Sequence, residues 1–172
     1  MVGVEPQDLK EAETVSGLEF RLMQVEDISR ICEIEQEAFT TPWSAGAFIN
    51  ELTSNHFARY MVMEVHGDIA GYGGMWLIMD EAHITNIAVS ETYRGRKLGE
   101  RLLREMQKTA GFLGAKRMTL EVRASNHIAQ RLYNKMGFVY SGIRKGYYTD
   151  NNEDAIIMWA ELPDINTSGP ED

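Results

Sequence analysis

Cysteine is nearly absent: Cys32 stands alone among 172 residues, so no disulfide can form within the chain and no cysteine pair is offered to a metal. The four histidines, His56, His66, His83 and His127, are scattered without the spacing of zinc ligands, and no metal site is expected. No apolar run approaches the roughly eighteen residues that cross a bilayer, which argues against a membrane span. The opening MVGVEPQDLKEAE lacks the basic start and apolar middle of a signal peptide. A cytoplasmic protein without membrane association is therefore expected. Positive charge is also scarce: 17 Lys and Arg stand against 26 Asp and Glu, a net charge of −9, which disfavours nonspecific nucleic-acid binding.

What is present fits one globular domain. A composition of 44% hydrophobic and 25% charged residues supplies an ample core and leaves no room for a second domain. Residues 1–17 are acidic and lack apolar periodicity, so they are expected to be a flexible extension, and 163–172 a disordered tail. The domain is expected over 18–162. Leu18–Leu22 alternates apolar and polar as a half-buried strand does. Asp27 could cap a following helix whose face carries Ile28, Ile31, Cys32, Glu35 and Phe39, with Cys32 a buried thiol and Glu35 the single polar interruption. Thr40-Thr41-Pro42 stops that helix, and Ser44 could cap a short second one ending near Asn55.

Three strands follow, over Phe57–Val65, Ile69–Ile78 and Ala82–Val89, joined by short turns into an antiparallel meander. Ile84 and Ile87 fall on opposite parities of the third strand, and a β-bulge near Asn86 would restore its register. Leu98, Leu102, Leu103, Met106, Ala110 and Leu113 mark a helix, and Arg117–Ala124 a strand with Met118, Leu120 and Val122 on one face and Glu121 on the other. Ser125 or Asn126 caps a helix carrying Ala129, Leu132, Tyr133 and Met136, which Gly137 ends. Tyr140–Lys145 and Ala155–Leu162 should form a closing hairpin. The order β-α-α-β-β-β-α-β-α-β-β defines a mixed α/β fold, and the helical crossover before the strand of Glu121 implies one parallel strand pair.

Charge is distributed unevenly. Arg94, Arg96, Lys97, Arg101, Arg104 and Lys108 stand against only Glu100 and Glu105, where the turn Tyr93-Arg94-Gly95-Arg96-Lys97-Leu98-Gly99 opens into a helix. One reading is a solvated helix face with i,i+4 pairs such as Glu100–Arg104. The other is a polyanionic ligand at the helix N-terminus, where backbone N–H groups and the helix dipole converge on phosphate. The glycine spacing matches neither a phosphate loop nor a dinucleotide fingerprint, so ATP and NAD are disfavoured.

The stretch Ile87–Phe138, together with Thr41-Pro42-Trp43-Ser44, Leu120-Glu121-Val122-Arg123-Ala124-Ser125-Asn126 and Glu153-Asp154-Ala155-Ile156-Ile157-Met158, resembles the Gcn5-related N-acetyltransferases. It is most similar to the bacterial subgroup that acetylates the N-terminal alanine of a small-subunit ribosomal protein. The family turn reads (Gln/Arg)-x-x-Gly-x-(Gly/Ala); Arg94, Leu98 and Gly99 fit it, while Lys97 replaces the central glycine. The resemblance implies a largely antiparallel sheet whose parallel pair splays at an acyl-CoA site. It implies acetyl-CoA as cosubstrate and no metal, with the backbone of Ile87, Ala88 and Val89 on the pantetheine arm. Arg94, Gly95, Arg96, Lys97, Leu98, Gly99 and Glu100 would hold the pyrophosphate. Asn126 matches the family's side-chain contact to the coenzyme and could equally be only a helix cap. Glu121 matches the general base and Tyr133 the general acid, a feasible donor to a thiolate with an ordinary pKa of about 10 against a thiol's 8.5 or so.

Trp43, Tyr147 and Tyr148 are expected in loops lining a peptide acceptor site. The expected partner is a protein N-terminus, ribosomal in origin, attacked directly in a ternary complex. Two rival readings are an acetyltransferase for a small amine or a lysine, and a noncatalytic acyl-CoA sensor. Glu121 and Tyr133 argue against the sensor; the loop aromatics argue for a peptide.

Overall fold

The computed structural model describes residues 16–163. The extension expected at 1–17 lies outside them apart from its last two residues, and the tail expected at 163–172 apart from Pro163. The elements are β1 (Leu18–Leu22), α1 (Ile28–Ala38), α2 (Ala45–Ser54), β2 (Ala58–Val65), β3 (Asp68–Ile78), β4 (Glu81–Val89), α3 (Leu98–Phe112), β5 (Arg117–Arg123), α4 (His127–Lys135), β6 (Val139–Tyr148) and β7 (Glu153–Glu161). They realise the expected order, with short 3₁₀ turns added at Val25–Asp27 and Glu91–Tyr93.

The strands form one seven-stranded sheet in the order β1-β2-β3-β4-β5-β7-β6, and only β4 and β5 run parallel. Strand parity divides the core. Met61, Met63, Met75, Met118, Leu120 and Val122 face α3, whose Leu98, Leu102, Leu103, Met106 and Ala110 are all buried against them. Tyr60, Val62, Tyr72 and Ala88 face the other way, under Ile28, Ile31 and Ile34 of α1 and Phe48 of α2. Each helix thus buries one apolar stripe, as a sheet covered on both faces requires.

The bulge expected near Asn86 is present. Gly74 pairs with Asn86 and Met75 with Ile84, which leaves Thr85 as the extra residue. The shift turns Ala82 and Ile84 toward the α3 core before the bulge, and Ile87 and Val89 toward that same core after it, while Ala88 joins the α1 side. Gly74 is needed here, because a Cβ would overlap the Tyr60 ring, which lies across it. That ring carries its hydroxyl to Thr85 Oγ1 at 2.9 Å and to Asn86 Oδ1 at 3.3 Å.

Several local expectations are corrected. Asp27 does not cap α1 with its side chain. Its carboxylate instead accepts the Gln24 amide at 2.7 Å and both Arg21 Nη atoms at 2.8 Å, and Arg21 holds its pKa below the usual range. The buried face of α1 is Ile28, Ile31, Ile34 and Glu35; Cys32 is only half-buried, and Phe39, beyond the helix end, is exposed. Ser44 does cap α2, accepting the Ala47 amide at 3.2 Å. The last strand pair is a hairpin as expected, but β7 inserts between β5 and β6. Tyr147 and Tyr148, expected in a loop, are the final residues of β6.

Candidate active site

Strands β4 and β5 pair only through Glu81–Arg117, Ala82–Met118 and His83–Thr119 and then separate. Beyond that fork the β5 edge of β4 is unpaired from Ile84 onward, while its other edge stays bonded to β3 as far as Gly71–Val89. A cavity of about 380 Å³ occupies the fork, between the bulge, the upper half of β5, the segment after α1 and the end of β6. Glu121, Tyr133, Asn126, Ile87, Trp43, Tyr147 and Tyr148 all line it. Ala88, Val89 and Arg94–Glu100 do not; they continue the open β4 edge toward the start of α3.

That continuation has the form of an anion cradle. Gly95 has φ +79° and Lys97 φ +56°, both left-handed, so the chain reverses tightly before α3 starts at Leu98. The family glycine at this position has a physical reason, since Lys97 adopts a backbone that L residues enter only at a cost. No side chain caps this N-terminus, and the amides of its first turn have no partners within the helix. Glu100 is turned toward Lys135 at 3.0 Å and Arg104 at 3.1 Å. Arg104 and Lys108 pair with glutamates along the helix, as the reading of a solvated helix face expects, whereas Arg94, Arg96 and Lys97 lie in the turn. Arg94 also donates from Nε to the Val89 carbonyl at 3.2 Å.

Within the cavity, alternation on β5 turns Glu121 away from buried Leu120 and Val122. Its Oε1 lies 3.2 Å from Arg144 Nε. Tyr133 projects from α4 beside Phe138, ring centres 5.8 Å apart, and burial pushes its pKa to about 12, so the phenol is protonated at neutral pH. Asn126 accepts the Ala129 amide at 3.1 Å, so its Oδ1 caps α4 while the residue also borders the cavity. Gly137, at φ +94°, ends α4, and the Phe138 amide returns to the Tyr133 carbonyl at 2.9 Å.

A second layer fixes the walls. The Arg123 guanidinium lies 4.0 Å from the Tyr148 ring centre and pairs with Asp150 at 2.9 Å and Glu153 at 3.4 Å. Thr40 Oγ1 donates to Asp150 Oδ2 at 2.8 Å, and this bond, with Arg123, lowers the Asp150 pKa. Trp43 stacks obliquely on Phe48 with centres 5.5 Å apart. Sequence reasoning missed Glu35, Asn86, Thr40 and Arg144 as parts of this site. Only Glu35 left a signal, as a carboxylate on an otherwise apolar helix face.

A bulged strand, a parallel fork and a left-handed turn opening into an uncapped helix are the features that the resemblance to an acetyltransferase leads one to expect, and the comparisons give that class. The chain belongs to the acetyltransferase (GNAT) family, whose model matches residues 28–138. It is 38% identical over 149 residues to the ribosomal protein bS18-alanine N-acetyltransferase of Escherichia coli (strain K12), covering 84% of this chain and 95% of that one. It is 51% identical over 142 residues to a Bacillus subtilis (strain 168) protein to which the same activity is provisionally ascribed, covering 83% of this chain and 94% of that one. The crystal structure of the ribosomal-protein-S18-alanine N-acetyltransferase from Escherichia coli superposes with a TM-score of 0.78 at 31% identity, covering 90% and 97% of the two chains. Among the described residues no helix is long and apolar enough to cross a membrane, and no three His, Cys, Asp or Glu residues are grouped to hold a metal ion.

Proposed function

We propose that this protein transfers the acetyl group of acetyl-CoA to the α-amine of an N-terminal alanine, with ribosomal protein bS18 as its acceptor in the cytoplasm. The observation that carries the reading is the convergence of Glu121 and Tyr133 on one cavity at the β4–β5 fork. Acetyl-CoA supplies an activated acyl group on a thiol leaving group. The open edge of β4 along Ile87, Ala88 and Val89 faces the extended pantetheine arm; Ile87 and Val89 turn their N–H groups to it, while Ala88 bonds to β3 and Arg94 takes the Val89 carbonyl. The turn from Arg94 to Glu100 offers amides and cations to the pyrophosphate. Asn126 borders the same path, and Trp43, Tyr147 and Tyr148 wall the acceptor side.

In this arrangement Glu121 accepts a proton from the attacking amine, and Tyr133 donates one to the departing thiolate. Tyr133, whose pKa burial pushes up to about 12, enters each cycle protonated, as a proton donor must. A carboxylate base also selects the acceptor. Deprotonating an α-amine of pKa near 8 at pH 7 costs about 1.4 kcal/mol, against about 4.6 for a lysine, a difference of roughly two-hundredfold. An N-terminus is therefore the amine this site handles.

The test is thiol release across short peptides that differ in their first residue, with mass spectrometry locating the acetyl group. An Ala-first peptide should be modified at its α-amine, and blocking that amine should abolish turnover despite an internal lysine. Acetyl found mainly on lysine, or faster turnover of a polyamine, would overturn the assignment.

A further inference from the structure

The acidic pair Glu153-Asp154 opens strand β7, and the chemistry described above uses neither side chain. Consecutive strand residues face opposite ways, so the two carboxylates reach different neighbours. Glu153 Oε2 accepts the Ser125 amide at 2.7 Å, and its Oε1 lies 3.4 Å from Arg123, which ties β7 to the turn between β5 and α4. Asp154 turns to β6 instead. Its Oδ1 accepts the Gly146 amide at 2.9 Å, while its own carbonyl accepts the Ala124 amide at 3.1 Å.

The β6–β7 ladder is irregular at this contact. Arg144 pairs with Ala155 and Tyr148 with Glu153, so Lys145, Gly146 and Tyr147 together stand opposite Asp154 alone, and β6 arches. Gly146 has φ +61°, a left-handed backbone that glycine adopts without strain, and a Cβ there would meet nothing within 4 Å. The arch takes the Gly146 amide out of the regular ladder, and the Asp154 carboxylate accepts it in place of a strand carbonyl.

The arch changes what the cavity presents. In a regular strand Tyr147 and Tyr148 would point to opposite faces. Here both line the cavity, ring centres 5.2 Å apart and edge to face. Tyr148 lies against the Arg123 guanidinium, 4.0 Å from its ring centre. Tyr147 has the Arg144 guanidinium 5.8 Å from its ring centre, and Arg144 is the residue that pairs with Glu121. The Tyr147 ring also remains exposed, so an arriving chain can reach it.

We propose that Asp154 is a positioning residue for the acceptor: by holding the Gly146 amide it maintains the arch that turns Tyr147 into the cavity, where the ring bears on the peptide. Asp154 acts through Tyr147 and touches neither substrate. This inference rests on the reading of the protein as an N-terminal acetyltransferase whose acceptor lies against Tyr147.

The experiment uses the full chain, acetyl-CoA and an Ala-first peptide, with steady-state kinetics in each substrate. Asp154→Ala removes the acceptor of the Gly146 amide; peptide KM should rise at least about fivefold, while kcat and acetyl-CoA KM change less than about twofold. Asp154→Asn keeps an Oδ1 acceptor without the charge and should hold peptide KM within about twofold of wild type. Asp154→Glu keeps the charge but carries its oxygens one methylene further out, so its peptide KM should rise at least about threefold, and it replaces Asp154→Ala if that variant does not fold. A double-mutant cycle separates positioning from general loss of structure. In a Tyr147→Ala background, Asp154→Ala should add less than about twofold to peptide KM, because the ring it positions is gone. Unchanged peptide KM in Asp154→Ala, no rescue in Asp154→Asn, or full additivity with Tyr147→Ala would overturn the role of Asp154. A wild-type protein that acetylates no Ala-first peptide would overturn the underlying reading instead, and this inference with it.

Discussion

Thr40, which lines the cavity, and Asp150 lie 110 residues apart in sequence, and a 2.8 Å hydrogen bond joins them. It ties the segment after α1, which carries Trp43, to the β6–β7 turn, which follows Tyr147 and Tyr148. Arg123 reaches the same pair, its Nη2 lying 2.9 Å from Asp150 Oδ2 and 3.4 Å from Thr40 Oγ1. The clasp bonds loop to loop, so it fixes the distance between the segment of Trp43 and the end of β6, two walls of the cavity.

Thr40→Val deletes the hydroxyl and keeps the shape. Peptide KM should rise about three- to tenfold, with kcat and coenzyme A affinity nearly unchanged, because positioning of the acceptor is lost while the chemistry is not. Steady-state kinetics varying the peptide at saturating acetyl-CoA would show it. An unchanged KM would mean that the clasp plays no part in acceptor binding.

Glu121→Gln and Tyr133→Phe test the chemical step. Each should lower kcat by about 10²–10⁴-fold and leave coenzyme A binding intact, since neither side chain belongs to the phosphate cradle. Retention of more than half the wild-type kcat in either variant removes that residue from proton transfer.

Lys97 tests the turn. A left-handed backbone costs an L residue roughly 1–2 kcal/mol, and a β-branched one more, so Lys97→Val should lower the melting temperature while Lys97→Gly should hold or raise it. Lys97→Ala should weaken coenzyme A binding more at low salt than at high salt, where screening already suppresses the contact. Equal affinities of Lys97→Ala and wild type at low salt would show that the ammonium plays no part in binding the coenzyme.

Glu35 gives stability a defined dependence on pH. Its folded pKa is raised by burial above the ordinary 4.5, so the folded state favours the neutral acid. The associated stability is fully present below the ordinary value and is lost as pH rises through the raised one. The melting temperature of Glu35→Gln relative to wild type should therefore increase on going from pH 4.5 upward to neutrality. Parallel melting curves for the two proteins over that range would show that Glu35 is not desolvated in solution.

Much of the fold was legible because it is local. The opposite parities of Ile84 and Ile87 called for an extra residue, and Thr85 supplies it one position from where it was expected. Asn126, Ser44 and Gly137 mark helix ends through bonds that reach only a few residues along the chain. The turn from Arg94 to Gly99 could be read for the same reason, its chemistry being that of adjacent amides and cations.

The sequence by itself thus determined the order of elements, the bulge, the caps and the identities of Glu121 and Tyr133 as candidates. Only the tertiary structure decided that β7 lies between β5 and β6, that Tyr147 and Tyr148 end a strand, and that Glu35 is a buried carboxyl at a cavity rather than an interruption on a helix face. Periodicity fixes which face a side chain occupies, but what that face meets depends on segments distant in the chain. Thr40 with Asp150, and Glu35 with the β4–β5 fork, meet only because the sheet brings them together.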